Sequence, residues 1–286
     1  MRLKDSSGST MYKCPQRTRA PVSETLPPRS IPFLKATFSH LPGIGPQMEC
    51  RLWSLGILTW EDLHRWLLCR TRRHKTLESL ETQIQAFRDR RWDVLAQFLP
   101  QRIMWRATHD FPGRTAFLDI ETHPMGGRHA VTVVGIWDGK AYCPYVRGRN
   151  LDELSDHLAR YELVVTFGGT RFDIPVLKAF LGNFTLCALH LDLISTLRTL
   201  GFTGGLKKIE QRLGIRRDPQ VDGLTGRDAV RLWRSYQAGD QNALTKLIAY
   251  NYADVRSLEF LADFGFEQHF RLLESKTRSS GEDLHD

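Results

Sequence analysis

The segment FLDIETHPMGG, residues 117–127, decides how the rest of the chain is read. After Phe117, the residues Leu118, Asp119, Ile120 and Glu121 alternate apolar and acidic side chains in the manner of a β-strand. Residues two apart in a strand point to the same face. Asp119 and Glu121 therefore share a face, beside a run that reads as core. Two carboxylates so placed repel each other, and a bound cation would remove that repulsion.

The elements around this strand suggest the architecture. TAFLDIE (115–121) reads as a strand, and HAVTVVGIWDGKAYCPYV (129–146) as two strands joined by a turn at Asp138-Gly139. NLDELSDHLARY (150–161) has the pattern of an amphipathic helix with Asn150 as its cap. ELVVTF (162–167) reads as a short buried strand, FDIPVLKAFLG as the start of a helix that stops at Gly182, and LHLDLI (189–194) as a further strand. The chain beyond residue 194 reads as mostly helical. A strand, a hairpin and then alternating helices and strands predict an α/β domain with a mixed sheet over 111–274.

Three further residues extend the acidic pattern. Asp173 stands at the start of a helix just after ELVVTF, where by itself it reads equally well as a cap. Late in the chain, Leu244, Leu247, Ile248, Val255, Leu258 and Ala262 form the apolar stripe of a helix. Tyr250 and Asp254 are four apart and so are neighbours on one flank of that stripe. Asp254 alone would pass for a solvated helix residue, and Asn251, within the stripe, for a hydrogen-bonded core amide. Carboxylates from three such elements could converge, and a carboxylate cluster selects hard divalent cations such as Mg²⁺ or Mn²⁺.

Together these residues resemble a family. Asp-x-Glu on a first strand, Phe-Asp after a later strand and Tyr-x3-Asp on a late helix are similar to the DEDD exonucleases of the ribonuclease H-like superfamily, over about residues 115–262. The phrases RFDIPVL (171–177), GGLKKIEQRLGI (204–215), AVRLW (229–233) and YNYADVRSLEFLA (250–262) look most like the YprB-type branch. The resemblance implies a ribonuclease H-like mixed β-sheet flanked by helices. It implies that Asp119, Glu121, Asp173 and Asp254 surround two Mg²⁺ or Mn²⁺ ions. In that scheme Asp119 bridges both ions, Glu121 and Asp254 complete one site and Asp173 serves the other. Tyr250 orients the attacking water, and a terminal phosphodiester is hydrolysed from the 3′ end. Two departures stand out. Gly168-Gly169-Thr170-Arg171 precede Phe172-Asp173 where relatives often carry an Asn, and Thr122 is followed by His123-Pro124-Met125 rather than Thr-Gly-Leu. The backbone at Thr122 and His123 remains the expected holder of the terminal nucleotide.

The chain ahead of the strand differs in character. The net charge of +8 lies wholly before residue 111: residues 1–110 hold 18 basic and 10 acidic side chains, and the remainder balances at 22 of each. Residues 1–32, rich in Pro, Ser, Thr and Arg, are expected to be a disordered leader, and 275–286 a polar tail. Residues 33–110 read as a small all-α module, with one helical spacing running over 77–99. Within it, Gly43-Ile44-Gly45 followed by Pro46 resembles the turn of a helix-hairpin-helix element. Glycines there let backbone N–H groups approach a phosphate at a helix N-terminus. A plain glycine turn between packed helices is the alternative. Arg70, Arg72, Arg73, Lys75, Arg88, Arg90 and Arg91 could extend a phosphate track or simply form a solvated face, while Trp53, Trp60 and Trp66 read as core of the small module.

The five cysteines include no CxxC pair, so neither a disulfide framework nor a zinc site is indicated. No apolar run approaches a membrane span, and a cytoplasmic location is expected. The expected function is a DNA 3′–5′ exonuclease acting in repair, with the partner nucleic acid being DNA. An RNA 3′–5′ exonuclease and a non-catalytic nucleic-acid binder on a nuclease fold are the alternatives.

Overall fold

The computed structural model describes residues 3–4, 10–11, 26–28, 30–69, 74–125, 128–182 and 184–282. Most of the expected leader and the cluster Arg70, Arg72 and Arg73 lie outside the described residues. The chain divides into two units, residues 1–89 with 271–286, and residues 90–270. The segment 90–110 thus goes with the sheet.

In the first unit, Leu3–Lys4 (β1) and Thr10–Met11 (β2) pair antiparallel. Three helices follow: α1 (Pro46–Ser54), α2 (Trp60–Leu68) and α3 (His74–Arg88). Pro46 opens α1, where its missing N–H costs nothing. Thr59 and Asp62 form a reciprocal capping box at the start of α2. Trp53 and Trp60 are buried, and each indole N–H finds a carbonyl, that of Ala36 at 2.9 Å and that of Thr37 at 2.8 Å. Both are core residues, as the sequence predicts. Gly43 has φ 76°, a conformation that L side chains rarely adopt, while Ile44 turns inward and is buried. Gly45 caps α1 with no side chain over the helix end.

The helical spacing over 77–99 does not form one helix. Arg90 takes φ 55°, which ends α3 and restarts the chain as the short α4 (Trp92–Leu95). A non-glycine residue there is uncommon, and its guanidinium pairs with Glu162 at 3.2 Å. Arg91 pairs with Asp93 at 3.0 Å, so two members of the supposed phosphate track already have acidic partners.

The second unit carries a five-stranded sheet in the order β5-β4-β3-β6-β7. The strands are β3 (Thr115–Met125), β4 (Arg128–Trp137), β5 (Tyr142–Val146), β6 (Leu163–Thr166) and β7 (Leu189–Asp192). β3, β4 and β5 are antiparallel, whereas β3, β6 and β7 are parallel. The hairpin turn forms where expected: Asp138 Oδ1 accepts the amides of Lys140 and Ala141, and Gly139 has φ 88°. The segment 150–161 is less helical than its pattern predicts. It makes a 3-10 turn (Leu151–Glu153) and a short α5 (Leu154–Leu158). Asn150 does not cap it; its side chain instead accepts Val146 N–H at 2.8 Å and donates to Pro144 O at 3.1 Å.

Four helices follow β6 in the chain, the first of them ahead of β7: α6 (Asp173–Leu181), α7 (Leu193–Thr199), α8 (Leu206–Leu213) and α9 (Gly226–Gln237). The last, α10 (Gln241–Glu282), stays helical over most of the polar segment 275–286. Strand alternation sorts the central strand between two cores. Ala116, Leu118 and Ile120 pack with Val134, Ile136, Leu154 and Leu177. On the other core Val133 and Val146 meet Leu244, Leu247 and Tyr250 of α10 and Trp233 of α9. The odd-numbered residues of β3 face away from the first core, so Asp119 and Glu121 come to the α10 side.

Candidate active site

β3 is the middle strand of the sheet, and α10 lies beside it. Three carboxylates meet there. Ligand-capable oxygens of Asp119, Glu121 and Asp254 all lie within 4.8 Å of one another, and Glu121 and Asp254 are buried. A bulge between Glu121 and Thr122 in the β3–β4 pairing falls directly after the second acid and re-aims the strand beyond it.

The electrostatics are unfavourable without a cation. Burial first, then Asp254, Glu121 and Asp173, push the Asp119 carboxyl well above the usual aspartate range. Burial and Asp254 do the same to Glu121, with Lys207 pulling the other way. Asp254 is raised by burial and lowered by Arg217. A partner that supplies positive charge would relieve this mutual displacement. An all-oxygen donor set of this kind suits a hard divalent cation.

Asp173 is buried at the first position of α6, where Phe172 occupies the cap position. It is not one of the three carboxylates within 4.8 Å of one another, but Asp254 and Asp192 both act on it. Its carboxyl is pushed up to about 7, by burial above all, with the amides of Asp173 and Ile120 opposing.

This shift predicts a pH dependence. The native state holds the Asp173 proton more tightly than an unfolded chain whose aspartate has the ordinary value of 3.8. The metal-free protein keeps full stability below that value and loses it as pH rises toward about 7. Asp119, Glu121 and Asp254 are displaced the same way and add to the same slope. In EDTA, the melting temperature is expected to be higher at pH 5.5 than at pH 8. Added Mn²⁺, which binds ionised carboxylates, should stabilise more at pH 8 than at pH 5.5. A flat profile in EDTA would contradict the burial of these groups.

Asn251 ties α10 to β3. It is fully buried, and its amide donates to Asp119 Oδ2 at 2.9 Å and to Asp119 O at 3.2 Å, while Tyr142 Oη–H donates to its Oδ1 at 2.9 Å. It is a core amide, as its place in the stripe suggests, and it also fixes the Asp119 carboxylate. Gly135, paired with Asp119 across β3–β4, leaves the space that Asn251 needs. A Cβ at position 135 would lie 1.8 Å from Asn251 Oδ1 and 2.9 Å from Tyr142 Cε2. Gly135→Ala should therefore cost about 1–3 kcal/mol, the usual range for overpacking. It should also displace Asn251 from Asp119, lowering the melting temperature and weakening stabilisation by Mn²⁺. An unchanged response to Mn²⁺ would remove Asn251 from the site.

Tyr250 is buried on α10, one turn before Asp254. Its hydroxyl accepts from Lys207 Nζ at 3.0 Å, and the ammonium lies 4.6 Å from the ring centroid. Burial, then Asp254, Glu121 and Asp119, raise the phenol above its ordinary range, so it stays protonated. Lys207, Glu210 and Arg217 are not among the residues that the sequence singles out, although they lie in or just after the phrase 204–215. No spacing rule shows that they come to the acids.

Thr122 and His123 follow the bulge on β3. Thr122 Oγ1 lies 3.3 Å from His129 Nδ1, and Nδ1 of His123 is shielded from solvent with no hydrogen-bond partner among the described residues. The exposed ring of Phe172 meets His129 edge-on at 5.2 Å. Gly43, Ile44 and Gly45 belong to the other unit.

Residues 116–264 match the model of the RNase_H superfamily. Two solved structures are similar at 18% identity. The family B DNA polymerase from the hyperthermophilic archaeon Pyrobaculum calidifontis aligns with a TM-score of 0.43 over 53% of this chain and 24% of the polymerase. Escherichia coli RNase D, an exoribonuclease involved in structured RNA processing, aligns with a TM-score of 0.31 over 65% of this chain and 48% of that enzyme. The chain thus spans about a quarter of the one and about half of the other. No curated protein matches the sequence. Among the described residues, no helix is long and apolar enough to cross a membrane.

Proposed function

The chain belongs to the RNase H superfamily, and from that premise we propose that it is a divalent-metal-dependent 3′–5′ exonuclease acting on DNA. The observation that carries this reading is the meeting of Asp119, Glu121 and Asp254, with Asp173 electrostatically close and Tyr250 one helical turn from Asp254. A binding module has no need of three buried carboxylates, a fourth half-buried beside them and a protonated tyrosine in one place.

Asp119, Glu121 and Asp254 would hold Mg²⁺ or Mn²⁺, with Asp173 serving a second ion that shares Asp119. Bound there, two ions supply the Lewis acidity that activates water and the charge that stabilises a leaving 3′ oxygen. The protein's own groups do the rest. The Tyr250 hydroxyl, whose pKa burial and the neighbouring carboxylates raise, orients the attacking water. Asn251 keeps the Asp119 carboxylate turned toward the cluster. The backbone at Thr122 and His123 holds the terminal nucleotide. In the first unit, Gly43 and Gly45 lead into the N-terminus of α1 with no side chain capping it, and this turn grips the duplex backbone without reading bases. That turn is the reason to favour DNA over RNA. A repair role follows from pairing such a grip with terminal hydrolysis.

Digestion of end-labelled single-stranded and duplex DNA and RNA, with Mg²⁺ or Mn²⁺, tests the reading. The expected result is DNA shortened from its 3′ end with release of mononucleotides. Shortening of RNA alone would transfer the reading to an exoribonuclease. A protein that binds Mn²⁺ and nucleic acid but cuts neither would make it a binder on a nuclease fold.

A further inference from the structure

Two of the residues that α10 brings to the site, Tyr250 and Asp254, are each held by a cation from a single stretch of chain, residues 207–217. Lys207 Nζ donates to Tyr250 Oη at 3.0 Å. Arg217 donates through Nε to Glu210 Oε2 at 2.8 Å, and through one terminal nitrogen to Glu210 Oε1 at 2.7 Å and Asp254 Oδ1 at 2.5 Å. The side chains of Arg217, Glu210 and Asp254 are only 5%, 3% and 9% exposed. Lys207 and Glu210 are three apart on α8 and share a face. Gly214 ends that helix in the left-handed conformation, and Arg217 follows in the irregular segment beyond it. One face of α8 and its following turn thus meet one turn of α10, cation to functional group, at two points.

We propose that this stretch is the positioning element of the metal site, with Arg217, itself fixed by Glu210, setting the orientation of Asp254 and Lys207 setting that of the Tyr250 hydroxyl. The inference rests on the reading of Asp254 as a metal ligand. A plain buried ion pair is the competing account, and two features weigh against it. Glu210 and Arg217 already form a neutral two-bond fork, the strongest arrangement available to an arginine. The third bond adds nothing to that pair's charge balance, and it goes to the one carboxylate that lies within 4.8 Å of Asp119 and Glu121. It also engages a single oxygen of Asp254, so the other oxygen and the net negative charge stay available to a cation. Carboxylates that ligate metals are commonly held in this way, and losing the holder typically costs about 10–100-fold in metal affinity. The remaining terminal nitrogen of Arg217 is buried without a hydrogen-bond partner among the described residues, which argues that stability alone did not select this geometry.

Calorimetric titration of the intact protein with Mn²⁺ alone tests the Arg217 half. Arg217→Lys keeps the charge but cannot form the fork, and is expected to weaken Mn²⁺ binding about 10–100-fold. Glu210→Gln keeps Arg217 but loosens it, and should weaken binding in the same direction. Wild-type Mn²⁺ affinity in either folded variant overturns the proposal while leaving the metal site in place. If Arg217→Lys does not fold, Glu210→Gln alone decides. Failure of the wild-type protein to bind Mn²⁺ would instead remove the metal reading, and this inference with it. For Lys207, a double-mutant cycle with Tyr250 gives the second readout. Lys207→Met should slow single-turnover cleavage in the wild-type background and have no further effect on Tyr250→Phe. Equal effects in both backgrounds would show that Lys207 acts independently of the tyrosine and overturn its positioning role.

Discussion

Asp119→Asn is expected to abolish hydrolysis in a protein that remains folded. The side chain stands on the middle strand, and Asp254, Glu121 and Asp173 all act on it. No other carboxylate in the cluster is shared between the two proposed metal sites. Asparagine keeps the size of the group and an oxygen that can still accept from Asn251 Nδ2, so the tie between β3 and α10 survives. What is lost is the charge. Lewis-acid stabilisation of developing charge contributes several kcal/mol to such a transition state. At about 1.4 kcal/mol per tenfold, its loss corresponds to a fall on the order of 10³-fold or more. Removing a charge from a crowded anionic cluster also relieves repulsion, so the metal-free variant should melt at or above the wild-type temperature. The two measurements are linked: activity should collapse while stability in EDTA holds or rises. Activity within tenfold of wild type, in a preparation free of contaminating nuclease, would rule out a catalytic metal site at Asp119.

Much of this site is legible in the sequence because it obeys short-range periodicities. Two residues apart on a strand put Asp119 and Glu121 together. Four apart on a helix put Tyr250 beside Asp254. The turn at Asp138-Gly139 announces the hairpin that places β5 against β4. The remainder is hidden because it depends on contacts between distant segments. Arg217 and Lys207 read as two more basic residues in a basic stretch until the fold buries one against Asp254 and sets the other over Tyr250. Gly135 lies inside the first strand of the segment 129–146, and only its register opposite Asp119 shows that its missing side chain makes room for Asn251. Asp192, inside LHLDLI, accepts the amides of Gly168, Thr170 and Ile194, shaping the loop before Asp173. The break in the helix over 77–99 is hidden for a related reason. Apolar spacing continues through Arg90, but the backbone there leaves the right-handed region. Periodicity records which face is apolar, not whether the chain stays helical between apolar residues.

Tyr250→Phe should give the second large effect, of a different kind. The DEDD exonucleases that the sequence resembles carry a water-orienting residue either five or four positions before the last Asp. Here the first of these is Ala249, which has no proton to offer, and the second is Tyr250. The phenol is displaced above its ordinary range by burial and by three carboxylates, which favours the hydroxyl over the tyrosinate and argues against a role as base. Its contribution must come from hydrogen bonding by an intact hydroxyl, whose oxygen is already engaged by Lys207. Phenylalanine keeps the ring that packs with Val133, Leu244 and Leu247, and keeps the face over which Lys207 lies. Folding and Mn²⁺ affinity should therefore change little, because no carboxylate is touched. Single-turnover cleavage should fall by about 10–1000-fold, the range for loss of a positioned proton donor or acceptor. The loss should be the same at pH 6 and pH 9, since the missing group does not titrate between them. Tyr252 provides the control. It is exposed and packs against Trp137 and Tyr142, with ring centroids 6.1 and 5.0 Å away. Tyr252→Phe should cleave at the wild-type rate. If Tyr250→Phe cleaves at that rate too, the hydroxyl has no part in orienting water and the ring is there only to pack. The carboxylate cluster would then act with free water alone. A fall that disappears at high pH would instead point to a tyrosinate, which burial among carboxylates opposes.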